Sequence, residues 1–87
     1  MDARIALQPA YVLHRIPFQN TSFIVDFFTV DYGRVRAVAK GARGAKSRSR
    51  SILQPFQPLL ISLSGRSDLK TLTGVEPMHE ALRLEAT

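Results

Sequence analysis

From Gly33 to Gly41 the chain reads GRVRAVAKG, which sets Val35, Ala37 and Ala39 against Arg34, Arg36, Val38 and Lys40. This is the period-two alternation of a strand with one face in a core and the other in water. The preceding stretch, TSFIVDFFTV from Thr21 to Val30, is rich in aromatic and β-branched residues and predicts a second strand, with Phe23, Val25 and Phe27 inward and Ile24, Asp26 and Phe28 outward. Between the two, DYG puts Gly33 where a short hairpin loop needs a positive φ, so the pair is expected to run antiparallel. PLLISLS (Pro58 to Ser64) alternates Leu59, Ile61 and Leu63 against Leu60, Ser62 and Ser64, and GRSD turns it into LKTLTGVE (Leu69 to Glu76), a second hairpin. An early strand lies in AYVLHRI (Ala10 to Ile16), closed by Pro17. Its alternation does not fix which side faces inward.

Five short, closely spaced strands with one long basic connection between the third and fourth predict a small all-β barrel. Val25, Val35, Ala37, Leu59 and Ile61 are the residues expected inside it. The final stretch, PMHEALRLEAT, offers Pro77 as a first helical position and apolar residues at Met78, Ala81 and Leu82, which predicts the start of a helical segment over residues 77–87 after a barrel over 1–76.

Composition narrows the function classes. A chain of 87 residues fits one domain, and at this size folding removes only about 60–65% of the unfolded chain's surface from water, which leaves little room for a deep enzyme cleft. The longest apolar run, Ala10 to Leu13, is far too short to span a bilayer, and the amino-terminal residues lack the apolar core of a secretory signal. A cytoplasmic protein is therefore expected. With no cysteine and only His14 and His79 as imidazoles, no metal and no cofactor is expected. Neither histidine is given a role.

Charge changes the picture most. Arg34, Arg36, Lys40, Arg43, Lys46, Arg48 and Arg50 fall in one run without an acid, while the rest of the chain is slightly acidic and the whole carries +5. Within it, KGARGAKSRSRS has Gly, Ala and Ser as its only other residues, so it is expected to be mobile or weakly helical, with nothing to pack. GARGAKS is not a phosphate-binding P-loop: Lys46 follows Ala45 rather than Gly, sits one residue too close to Gly41, and opens no long helix. No Ser/His/Asp or paired-carboxylate spacing accompanies it, and a binding protein rather than an enzyme is expected.

The stretch from Tyr11 to Leu72 resembles the amino-terminal domain of the RecO family of bacterial recombination and repair mediators. The resemblance is carried by VLH at Val12–His14, TSF ahead of the second strand, GRVRAVAKGAR at Gly33–Arg43, and LQPF with PL at Leu53–Leu59. It implies an OB-fold barrel that binds single- and double-stranded DNA, anneals complementary strands, and works with RecR and single-strand-binding protein to load recombinase. It also implies that a helical second domain follows, which in some members carries a cysteine zinc site.

On an OB barrel the outer side of strands two and three is the usual ligand face. Arg34, Arg36 and Lys40 then point outward beside Phe28, a basic groove with a stacking platform, and Arg43, Lys46, Arg48 and Arg50 extend it along the loop. Each feature has a second reading. The loop fits a solvated connection, Phe28 fits burial under a further domain, and Arg34 and Arg36 fit a solvated strand face paired across to Asp26. A protein-recognition barrel whose basic patch binds an acidic partner uses the same charge, and the pattern alone leaves that alternative open.

Overall fold

The computed structural model describes residues 4–44 and 48–78. Its elements are β1 (Arg4–Phe18), β2 (Ser22–Thr29), β3 (Gly33–Ala39), α1 (Ser49–Ile52), β4 (Pro58–Ser64) and β5 (Leu69–Pro77). The strands close into one barrel in the order β1-β2-β3-β5-β4, with β4 returning to β1. All neighbours are antiparallel except β3 and β5, which run parallel over Arg36–Val38 and Leu69–Thr71. This is the all-β, OB-type barrel expected. No helix among the described residues is long and apolar enough to cross a membrane.

The alternation of β2, β3 and β4 translates directly into burial. Val25, Phe27, Ala37, Leu59 and Ile61 are fully enclosed, and Phe23, Val35, Ala39 and Leu63 are nearly so. All five residues expected inside are there. The β2–β3 hairpin closes as Gly33 requires, at φ +67, a conformation that glycine adopts without steric cost. Thr29, wholly buried at the turn, locks it: its hydroxyl donates to the Gly33 carbonyl (2.8 Å) and accepts from the Tyr32 amide (3.0 Å). A second clamp ties the hairpin to β1. Buried Gln8 donates to the Asp31 carboxylate (3.0 Å) and accepts from the Asp31 amide (2.8 Å).

β1 is longer than its apolar pattern predicts, and it is bent twice. Its register slips between Ile5 and Gln8 against β4, where Leu7 takes φ +49, and between Val12 and His14 against β2. A bulge adds one residue and flips the alternation. Val12 therefore faces the interior opposite Phe27, whereas His14 faces outward opposite Asp26. Pro17 lies inside the strand, opposite Phe23. β5 runs on through Pro77, and the helical segment expected from there lies, past Met78, outside the described residues.

The connection from β3 to β4 packs more than its composition predicts. Ala42 and Leu53 are buried in the core, and among the described residues between them one turn of helix, Ser49–Ile52, forms, in agreement with a weakly helical segment. Arg15 of β1 fastens it: one guanidinium nitrogen donates to the carbonyls of Arg50 (2.8 Å) and Leu53 (3.0 Å), and the group lies 4.4 Å from the centre of the Phe23 ring. Cations on the last carbonyls of a helix stabilise groups that have no partner within it.

Candidate nucleic-acid interface

The registers of β1, β2 and β3 fix three rows across their outer face. Tyr11, Phe28 and Arg34 form the first; His14, Asp26 and Arg36 the second; Ile16, Ile24 and Val38 the third. Aromatic, charged and aliphatic rows thus lie side by side, with Lys40 exposed just beyond the end of β3.

The charged row is organised by its acid. Asp26 sits on the outer face yet is only 5% exposed, because the side chains around it form the cover. Arg36, directly opposite, donates from Nε to Oδ1 at 2.9 Å; Arg34 approaches Oδ2 at 3.5 Å, and His14 Nε2 lies 3.0 Å from the same oxygen. The cross-strand pairing to Asp26 that the second reading of Arg34 and Arg36 describes is present, with His14 as an additional neighbour. The Arg36 hydrogen bond, opposed by burial and reinforced by the charges of Arg36, His14 and Arg34, holds the Asp26 carboxyl below the usual carboxylate value. The same bond raises the Arg36 guanidinium above its ordinary value. One carboxylate so holds the head of Arg36 by a hydrogen bond and that of Arg34 by charge alone, while both side chains remain mostly in solvent. A cleft of about 460 Å³, lined by Asp26, Arg34, Val35, Arg36, Asp68 and Leu69, opens beside them toward the β4–β5 turn.

The other cations named from sequence separate into groups. Arg43 is pinned: its amide donates to the Thr21 carbonyl (2.8 Å) and its guanidinium to the Gln19 carbonyl (3.1 Å), which sets it against the β1–β2 turn. Arg48 and Arg50 are exposed at the start of α1 and within it. Lys46 lies outside the described residues. Phe28 is 43% exposed, beside Arg34 in register.

Sequence reasoning missed two rings. Tyr11, on β1, lies opposite Phe28 with ring centroids 5.8 Å apart, and Phe56 stands 6.0 Å on the other side of Tyr11. Phe56 is 70% exposed and takes φ +65, a backbone region that costs a bulky residue about 1–3 kcal/mol. Its amide donates to the Val12 carbonyl (2.9 Å), and Pro55 bridges to Val12. Tyr11 was hidden by the bulge that scrambles the β1 alternation, and Phe56 by its place between two prolines in a stretch without a strand pattern.

The chain matches the family model described as recombination protein O N terminal over residues 1–81. It is 56% identical over 75 residues to a DNA repair protein RecO of Burkholderia lata, covering 86% of this chain and 27% of that protein. A DNA repair protein RecO of Alteromonas mediterranea is 54% identical over 78 residues (90% and 33%), and one of Coxiella burnetii is 57% identical over 76 (87% and 33%). The chain therefore spans between a quarter and a third of the length of these relatives. A match over nearly all of its residues, joined to the five-stranded barrel, places the chain in the RecO amino-terminal domain family.

Proposed function

We propose that the chain is the DNA-binding domain of a recombinational repair mediator, holding single- and double-stranded DNA without sequence specificity. The observation that carries this reading is the pairing of Arg34 and Arg36, aligned by buried Asp26, with exposed Phe28 on the outer face of β2 and β3. Arginines held at fixed separation take phosphates, and a ring beside them takes a base. Neither contact reads sequence, since every nucleotide has a phosphate and a π-face. Lys40, Arg43, Arg48 and Arg50 add to the positive charge of the barrel, Lys46 belongs to the same basic run in sequence, and counterion release from the phosphates drives association.

By family, the domain supports strand annealing and recombinase loading in the bacterial cytoplasm, with RecR and single-strand-binding protein as partners. Its part is binding rather than catalysis. The competing reading, a barrel whose basic patch holds an acidic protein, uses the same cations and differs in one respect: it gives an exposed ring beside them no base to meet. Fluorescence anisotropy with a labelled single strand, a duplex and an acidic peptide at matched ionic strength tests the choice. Binding of both nucleic acids, with the peptide weaker than either, is the expected result. Preference for the peptide would replace this reading with the protein-partner one.

A further inference from the structure

We infer that Phe28, Tyr11 and Phe56 form a three-ring track on which successive bases of a single strand stack, so that the strand runs across the barrel from β3 over β2 and β1 to the Pro55–Gln57 segment. The inference rests on the DNA-binding reading and adds to it a path, two further contact residues and a preference for single strands.

Three independent observations converge on the track. The rings are consecutive neighbours, 5.8 and 6.0 Å apart between centroids, and all are exposed, at 43%, 36% and 70%. The outermost is presented at a conformational cost: Phe56 holds a left-handed backbone that an asparagine or glycine would adopt more readily. Strain of this kind persists where surrounding bonds enforce it and tends to mark sites of function. Here the enforcing bonds run to Val12, the residue after Tyr11, so the strained ring and the middle ring are positioned by one stretch of β1.

Charge identifies the occupant. The row that begins with Tyr11 and Phe28 ends in Arg34, and the adjacent row carries Arg36. The nearest acid, Asp26, is covered and already engaged by both arginines. A strand laid with bases on the rings therefore meets cations along its phosphates and no free carboxylate in these two rows. Duplex DNA keeps its bases stacked on one another and gains only the phosphate contacts, whereas a single strand gains both.

The test uses the 87-residue chain with fluorescein-labelled oligothymidine and a duplex of equal length. Phe56→Ala and Tyr11→Ala are each expected to weaken single-strand binding roughly 5- to 100-fold, the range for loss of one stacking ring, with duplex binding and the salt slope unchanged. Phe56→Leu keeps apolar bulk and removes the π-face, and is expected to fall close to Phe56→Ala. Tyr11 gives a direct readout because the chain has no tryptophan and only one other tyrosine: in a Tyr32→Phe background, oligothymidine should quench the remaining tyrosine emission and the duplex should not. Parent-like single-strand binding by the alanine variants overturns the track and leaves the DNA-binding reading intact. So does full binding by Phe56→Leu. A parent chain that binds neither nucleic acid removes the DNA-binding reading itself. A chain that sediments as a dimer, and is made monomeric by Phe56→Ala, has the rings covered by a second copy, and the track is refuted.

Discussion

Arg36→Met is the most informative single change on the barrel's outer face, because it keeps an aliphatic stem over Asp26 and deletes the guanidinium. In the parent, Asp26 Oδ1 accepts from Arg36 at 2.9 Å, and Oδ2 has Arg34 at 3.5 Å and His14 at 3.0 Å. An exposed cross-strand pair of this type contributes only about 0.2–1 kcal/mol. Asp26, however, is 5% exposed, and removing one partner of a buried charge leaves the other desolvated, which moves the cost to about 2–3 kcal/mol. Asp26→Asn is the mirror experiment. It deletes the buried charge, returns solvent-exposed arginines to water and retains an oxygen for Arg36, so about 1 kcal/mol or less is lost. Arg36→Ala falls between them, since shortening the stem lets water reach the carboxylate. Urea denaturation reads all three: with a slope near 1 kcal/mol per molar for a domain this small, the midpoint should drop by about 2 M or more for Arg36→Met and by no more than about 1 M for Asp26→Asn. A larger loss for Asp26→Asn than for Arg36→Met would show that the carboxylate, rather than its neutralisation, is what the sheet depends on, and the reasoning would fail.

The same cluster sets a pH dependence. A carboxyl whose value is lowered by folding adds stability that is complete above its unfolded value near 3.9 and is lost as pH falls through the folded value; the urea-midpoint difference between parent and Asp26→Asn should thus hold from pH 7 to about 4.5 and shrink below. Arg15→Ala removes the donors to the Arg50 and Leu53 carbonyls and the contact with Phe23, so roughly 1–2 kcal/mol should be lost and amide exchange between Arg48 and Gln57 should accelerate more than in β2; uniform acceleration would refute the fastening role. Replacing Arg43, Lys46, Arg48 and Arg50 together by Ala should weaken binding to all DNA sequences alike and flatten a single-strand salt slope that starts near about −3 to −4; an unchanged slope would place the phosphates elsewhere.

Legibility in the sequence followed the regularity of each strand. β2, β3 and β4 keep strict alternation, and Val25, Val35, Ala37, Leu59 and Ile61 were all assigned correctly because one side of a pleated strand must leave water. β1 defeated the same reasoning: two bulges swap its faces, so the inward side changes parity from Ile5 to Gln8, Ala10 and Val12, and the outward side changes parity from Tyr11 to His14. The cations of β3 were legible as outward-facing for the same pleat reason. Arg43 was not legible as a pinned residue, since its acceptors are backbone carbonyls of the β1–β2 turn, and carbonyl positions carry no side-chain signature. Arg15 escaped notice likewise, through its bonds to the carbonyls of Arg50 and Leu53.

The double pairing of β1 has a consequence for how the chain is made. β1 hydrogen-bonds to β2 along one edge and to β4 along the other, so during synthesis the first edge can be satisfied as soon as the β2–β3 hairpin emerges, while the second waits for residues up to Ser64. At ribosomal speeds the gap between completing Ala39 and Ser64 is on the order of one to five seconds, long compared with the microseconds a hairpin takes to form. For that interval a three-stranded meander exposes Phe23, Val25 and Phe27 on one side and an unpaired β1 edge on another, the two features through which nascent sheets capture one another. The basic connection that delays β4 also adds like charges to each such intermediate, and their mutual repulsion keeps neighbouring nascent chains apart until the barrel shuts.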